Sequence, residues 1–320
     1  MAVGPARGRQ LTASHATATP VGVMDVGGGH VTAALVDPAS VGEVLVERGA
    51  TIDPHADRDV LLDQLAGPGR ALGPLRAGSV PLRGWSIAMP GPFDAAAGTG
   101  TFAGVDKFQS IAGIDLRAAL AERLGVPPSA VRFLNDAVAY GIGEWAAGAG
   151  AGAGRMVCIT LGTGVGSAFL VDGAAVDSGP TVPEQGEVHR LAIDGRPLEE
   201  TISSPALRRA DHERSGRDRS VEELCAAARG GDPVALDVVG TAMSALGGAL
   251  RPWVERFDAT RVVVGGSIAR SWDVIAAPLH AGITRDGGTA TRGPQLVPAA
   301  LGSRAPLVGA AVAWTRDTDG

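Results

Sequence analysis

Asn135 and Asp136 stand directly after the apolar run Val131, Arg132, Phe133 and Leu134, and they open a stretch with helical spacing, residues 136–145. That places both side chains at the C-terminal end of a strand, where clefts in α/β folds form. A carboxylate so placed can take a proton from a hydroxyl under attack. Either residue would serve equally as a plain helix cap. Three glycine turns offer a second kind of chemistry: Asp25–Val26–Gly27–Gly28–Gly29–His30, Leu161–Gly162–Thr163–Gly164–Val165–Gly166 and Val264–Gly265–Gly266. A glycine turn between antiparallel strands aims several backbone N–H groups one way and lets a phosphate approach without Cβ interference. Each turn alone is also an ordinary tight hairpin. Asp25 is repulsive beside a phosphate unless a Mg²⁺ ion or its water lies between them; as a turn-capping residue it needs no ligand.

Other chemistries are excluded by the same residues. Of the 28 basic residues among 320, Lys107 is the only lysine. A Walker loop needs lysine directly after its second glycine, and a protein kinase needs one on an early strand. No strand–glycine loop precedes Lys107, so both nucleotide-binding classes are out. The Gly162–Gly166 spacing invites a dinucleotide reading, but Ser167 stands where that fingerprint needs its third glycine, and a strand follows instead of a helix. A formal charge of −6 argues against a basic nucleic-acid face. Two cysteines, Cys158 and Cys225, make neither a disulfide framework nor a cysteine-rich zinc site.

The elements that must position these residues follow from periodicity. Val21–Met24 and Val31–Val36 read as a hairpin around the first turn, with residues 44–46 as a third strand and 57–65 as a helix. Residues 85–89 read as a buried strand ending at Pro90–Gly91–Pro92. Residues 116–124 read as a helix closed by Gly125 and Pro127. The alternating run Gly148 to Gly154 reads as a flexible loop. A second strand–glycine–strand unit covers 156–171, a helical region 235–257 is expected to break or kink at Pro252, and the strand 261–264 precedes a helix over 268–275. One device used twice suggests two related α/β halves. The expected divisions are a disordered tail at 1–19, an N-terminal domain at 20–134 with a last helix near 305–316 packed back on it, and a C-terminal domain at 135–304. The mixed charges around Arg208, Arg209 and residues 211–219 read as a solvated face. No run of 18 apolar residues and no leader peptide is present, so a cytoplasmic protein with no membrane or nucleic-acid partner is expected.

Met89–Pro90–Gly91–Pro92–Phe93–Asp94, Asn135–Asp136–Ala137, the 161–166 turn and Val264–Gly265–Gly266 occur in the order seen in the ROK family of sugar kinases and related repressors, which the chain resembles from residue 21 to about 314. The resemblance implies a two-domain actin-like ATPase (ribonuclease H-like) fold with a cleft between domains. It also implies ATP and Mg²⁺ as cofactors and a homodimer. Asp136 would be the general base, with Asn135, Gly91, Glu187, His189 and Glu199 binding the sugar. Asp25, Gly27, Gly28, Gly29, Gly162, Thr163, Gly164, Gly166, Gly265 and Gly266 would hold the nucleotide, Asp25 facing Mg²⁺ through water or phosphate.

Three departures stand out. The family's cysteine cluster is missing from residues 190–198, so no zinc is expected. His189 lies one residue nearer Glu187 than the family histidine, which puts Arg190 in its place. Gly29 replaces a threonine of the first hairpin. The implied activity is phosphorylation of a primary hydroxyl on a hexose or hexose-like polyol, with ATP or polyphosphate as donor. A cyclitol kinase, a silent sugar-binding protein and a repressor are the alternatives. The repressor needs a helix-turn-helix ahead of the first hairpin, and the roughly 20 preceding residues lack helical periodicity.

Overall fold

The computed structural model describes residues 19–37, 40, 43–72, 82–284 and 293–319. The tail expected at 1–19 falls, apart from Thr19, outside them. Contacts divide the chain into two compact units, Met1–Ala147 with Ser303–Gly320, and Gly148–Gly302.

The first unit is built on a five-stranded sheet from β1 (Val21–Val26), β2 (His30–Val36), β3 (Val44–Thr51), β4 (Trp85–Met89) and, after a small ribbon of β5 (Phe93–Asp94) and β6 (Thr99–Gly100), β7 (Val131–Asn135). Its order is β3-β2-β1-β4-β7. β1 runs antiparallel to β2 but parallel to β4, which is parallel to β7. The central strands β1 and β4 are covered on both faces and so read as nearly continuous apolar runs. Met24 and Val26 join the core beneath helices α1 (Arg58–Leu72) and α2 (Leu116–Leu124), while Val21 and Val23 pack with Leu307, Ala311 and Trp314 of the last helix. Strand alternation therefore puts Asp25 on the face of that last helix.

Helix α1 outruns its expected end at 65 by a full seven residues, through Gly67, Pro68 and Gly69. A Cβ at Gly69 would stand 2.7 Å from Leu124 Cδ2 and 3.1 Å from Trp85. Tertiary packing thus overrides the local breaking tendency. Helix α3 (Asp136–Ala147) corrects the expected boundary at 134/135. It belongs to the first unit, because its Gly143 lies against the Ala305 carbonyl, where a Cβ would come within 2.0 Å.

The second unit repeats the plan. β8 (Arg155–Leu161), β9 (Val165–Val171) and β10 (Ala174–Ala175) are followed by a ribbon of β11 (Ala192–Ile193) and β12 (Arg196–Pro197). Helices α4 (Glu199–Ile202), α5 (Ser204–Ser215), α6 (Val221–Arg229) and α7 (Pro233–Arg256) lead into β13 (Arg261–Gly265), α8 (Trp272–Ile283) and β14 (Gln295–Pro298). The sheet order is β10-β9-β8-β13-β14, the same pattern of two antiparallel and two parallel pairings. Helix α9 (Ala305–Asp319) then returns to the first unit.

Three expectations change in the second unit. Helix α7 runs through Pro252 without a break. It is long and apolar enough for a membrane span, yet Val239, Met243, Leu246 and Leu250 are buried in this unit's core. The Gly148–Gly154 run is an ordered turn rather than a flexible loop: Arg261 Nη1 donates to the carbonyls of Ala149 (2.9 Å) and Ala151 (2.8 Å). The charged stretch around 211–219 is not simply solvated. Asp211 is fully buried, and Arg219 bridges it (2.5 Å) to Asp232 (3.1 Å), the N-cap of α7. The guanidinium holds the Asp211 carboxyl below the usual carboxylate range.

Candidate functional site

In the first unit the site grows from the shared edge of three parallel strands. Asp25 pairs in register with Ala88 of β4, and Ala88 with Leu134 of β7, so Asn135 and Asp136 follow one and two residues beyond that row. Asn135 Oδ1 accepts from the N–H groups of Ala137 (2.9 Å) and Val138 (3.1 Å), and Asp136 Oδ1 from Ala137 (2.8 Å). Both residues therefore cap α3, and this fixes their side chains without using every oxygen lone pair. Gly91 lies beside them: a Cβ there would be 4.0 Å from Asn135 Nδ2.

Withdrawal from water pushes the Asp136 carboxyl up to about 7; the Ala137 N–H opposes this and the Asp25 charge adds to it. Desolvation also pushes Asp25 up to about 6. Neither carboxylate has a basic side chain among its hydrogen-bond or ion-pair partners in the described residues. Two carboxyl groups in this state suit a proton acceptor and a neighbour that awaits a cation. Asp25 fits Mg²⁺, which commonly takes one or two protein carboxylates and completes its shell with water and phosphate oxygens.

The turn after Asp25 is lined by basic side chains. A Cβ at Gly27 would stand 2.3 Å from His30 Cε1, and one at Gly28 would stand 2.4 Å from Lys107 Nζ. At Gly29 nothing comes within 4 Å. His30 is exposed, and Lys107 is half-buried. Sequence reasoning used Lys107 only to exclude other folds, since no local spacing ties it to residue 28.

The second unit gathers the other expected residues into two groups. Around the 161–166 hairpin, Gly162 N donates to Gly164 O (3.0 Å), and Ser204 holds Gly162 O through both its N–H (2.8 Å) and its hydroxyl (2.9 Å). Glu199 Oε1 accepts from Val165 N at 2.6 Å, and a Cβ at Gly164 would come within 2.7 Å of that oxygen. The Gly265–Gly266 turn packs directly behind: Gly266 has φ 87°, and a Cβ there would meet Leu161 O at 2.2 Å. Thr163 lies within the hairpin, and Gly166 is the second residue of β9, opposite Thr160.

Glu187 forms the second group. Arg190 Nε donates to Glu187 Oε2 at 2.5 Å, while His189 Nε2 stands 3.7 Å from the same oxygen. Gln185 Oε1 accepts from Arg190 Nη2 at 3.1 Å. Arg190 thus engages the Glu187 carboxylate more closely than His189 does. Cys158 in β8 and Cys225 in α6 are both buried, away from the 190–198 segment in sequence.

Residues 21–317 match the ROK family. The glucokinase of Thermotoga maritima is 30% identical over 217 residues, spanning 61% of this chain and 67% of that protein. The kanosamine kinase of Amycolatopsis mediterranei is 30% identical over 240 residues, 72% of this chain and 76% of that protein. The crystal structure of a ROK hexokinase from Thermus thermophilus superposes with a TM-score of 0.76 at 24% identity, covering 94% of this chain and 100% of that one. With a match across nearly its whole length and the ROK fold in both units, the chain belongs to the ROK family.

Proposed function

We propose that this protein is a sugar kinase that moves the terminal phosphoryl group of ATP to a primary hydroxyl of a hexose or hexose-like polyol. The observation that carries this reading is Asp136: a carboxyl raised to about 7, at the end of a strand, fixed by its own cap contacts and one residue from Asn135. A base with a pKa near the working pH combines a useful ionised fraction with a real affinity for the proton. Asp136 takes the acceptor's hydroxyl proton as the hydroxyl oxygen attacks the γ-phosphorus and the bond to the β-phosphate oxygen breaks. Asn135 presents its amide to a neighbouring hydroxyl. Glu187, His189 and Glu199 bind further hydroxyls by charge-assisted hydrogen bonds, which reject acceptors lacking them. The glycine turns at 27–29, 162–166 and 265–266 offer backbone to the nucleotide. Mg²⁺, held at Asp25, would neutralise charge on the phosphates.

Relatives named as a glucokinase and a kanosamine kinase support a sugar as the acceptor. A cyclitol acceptor is the second reading. Arg190 motivates it, because a Glu187 carboxylate already engaged by a guanidinium presents a different set of acceptors to the bound polyol. The test is a coupled ADP-release screen of hexoses and cyclitols, with Asp136→Asn as control. Turnover of a hexose is expected. A silent screen alongside measurable sugar binding would make the chain a binding protein instead.

A further inference from the structure

Lys107 approaches the first hairpin from a distant loop whose shape is fixed by several independent contacts. Phe102 and Phe108, on either side of it, are buried and adopt left-handed backbone conformations, φ 47° and 62°. Their rings lie 5.4 Å apart. Such conformations are strained, persist only where the surroundings over-determine them, and gather at functional sites. Gln109 Nε2 donates to the carbonyls of Phe102 (2.8 Å) and Val105 (2.7 Å), and Phe108 N donates to Pro54 O (2.9 Å). The frame holds Lys107 so that its ammonium lies where a side chain at Gly28 would start.

The Lys107 side chain is only partly exposed. Among the described residues none lies within ion-pair distance of Lys107. The group beneath it is the bare backbone of a glycine turn, and His30 lies over the adjoining Gly27. An unpaired cation over a turn of this kind is half of an anion site. Gly29 offers no hydroxyl, and the space beside it is open.

We propose that Lys107 binds the terminal phosphates of the phosphoryl donor over the 27–29 turn, supplying a contact that Gly29 lacks. This rests on the kinase reading above. As a point charge on a flexible stem, lysine suits a phosphate that changes shape during transfer.

Because no other lysine exists in the chain, its amine can be addressed chemically in the intact protein. The aldehyde of pyridoxal phosphate condenses with the amine and loses water. Borohydride then adds hydride to the imine carbon, and water protonates the nitrogen. The resulting secondary amine is located by mass spectrometry of peptides. ATP is expected to lower labelling at Lys107 by about tenfold, while AMP and glucose leave it unchanged. Inorganic polyphosphate protecting where ATP does not would keep the role and change the donor. In kinetics, Lys107→Met should raise the donor KM roughly ten- to hundredfold with the acceptor KM unmoved, and Lys107→Arg should restore most of it.

Labelling indifferent to ATP and to polyphosphate would overturn the assignment, as would an active Lys107→Met enzyme with normal donor KM. If the variant does not fold, protection of the native chain still decides. The two readings also fail separately: a chain with no turnover but with Lys107 shielded by ATP would lose the kinase reading alone.

Discussion

The two glycine hairpins stand at the same place in sheets of the same strand order, yet a lysine ammonium lies over one and a glutamate carboxylate over the other. At 27–29 the neighbours are His30 and Lys107; at 162–166 they are the Glu199 carboxylate and the Ser204 hydroxyl. In the first hairpin the intruding groups are free ends of side chains over the turn. In the second, Glu199 is tied to Val165 N and Ser204 to Gly162 O, so the hairpin is fastened to the start of α4 and α5. A shared backbone device therefore does not fix a shared role. One hairpin has a lysine ammonium over its turn, and the other has its backbone fastened by a carboxylate.

The largest effect that would break this contrast is expected at Gly266. Gly266→Ala adds a Cβ against Leu161 O at a φ of 87°, where neither partner can yield cheaply. A cost of about 3 kcal/mol or more is expected. At roughly 2–4 °C per kcal/mol, the melting temperature should fall on the order of 10 °C. A calorimetric scan within one degree of the parent would show that the second hairpin does not depend on this buttress.

Next in size is Glu199→Gln. It weakens a charge-assisted bond to Val165 N by on the order of 1–3 kcal/mol. The sequence alone gives Glu199 an effect on the acceptor only. The bond to the hairpin adds the donor, so both KM values should rise, the acceptor's by roughly tenfold or more and the donor's by several-fold. Initial-rate kinetics with each substrate varied in turn separates these, and an unmoved donor KM would detach Glu199 from the hairpin's function.

Asp136→Asn should produce a smaller, pH-dependent gain in stability. The carboxyl titrates at about 7 in the folded chain against an ordinary aspartate value of 3.8, so between those values the folded state holds more protons than the unfolded. Stability of the parent therefore falls as pH rises through this window, while the asparagine variant has nothing to titrate. The two proteins should be nearly equal in melting temperature near pH 4 and diverge by pH 8, with the variant the higher. A gap that is the same at both pH values would contradict the burial argument.

The smallest effect is expected at Gly29, where a side chain meets nothing within 4 Å. Gly29→Thr should leave the melting temperature unchanged. By restoring a hydroxyl it should lower the donor KM by roughly twofold to tenfold, the worth of one net hydrogen bond. A raised donor KM would mean that the open space at Gly29 is itself used.

Much of the first unit was legible in the residues. The hairpin strands, β4 and β7 show as short apolar runs ended by glycine or proline, and Asp136 shows as the residue between a strand and a helical period. Other features were hidden because they depend on contacts distant in sequence. Helix α1 passes through Gly-Pro-Gly only because Gly69 fits against Trp85 and Leu124. Asp211 is buried rather than solvated only because Arg219 and Asp232 come from later turns. Lys107 is 79 residues from Gly28 (107 − 28), and no periodicity connects them. The 148–154 run looks mobile until Arg261, on a strand a hundred residues later, is seen to hold its carbonyls.

The account turns on Asp136 as the base. The most direct test is steady-state kinetics of Asp136→Asn, whose side chain keeps the cap on α3 but cannot accept the proton, run beside the parent with the best acceptor from the screen. The expected result is a fall in kcat of roughly 10²–10⁴-fold with the acceptor KM held within about tenfold. Near-normal turnover in a variant shown to be folded would contradict it and leave Asp136 as a helix cap alone.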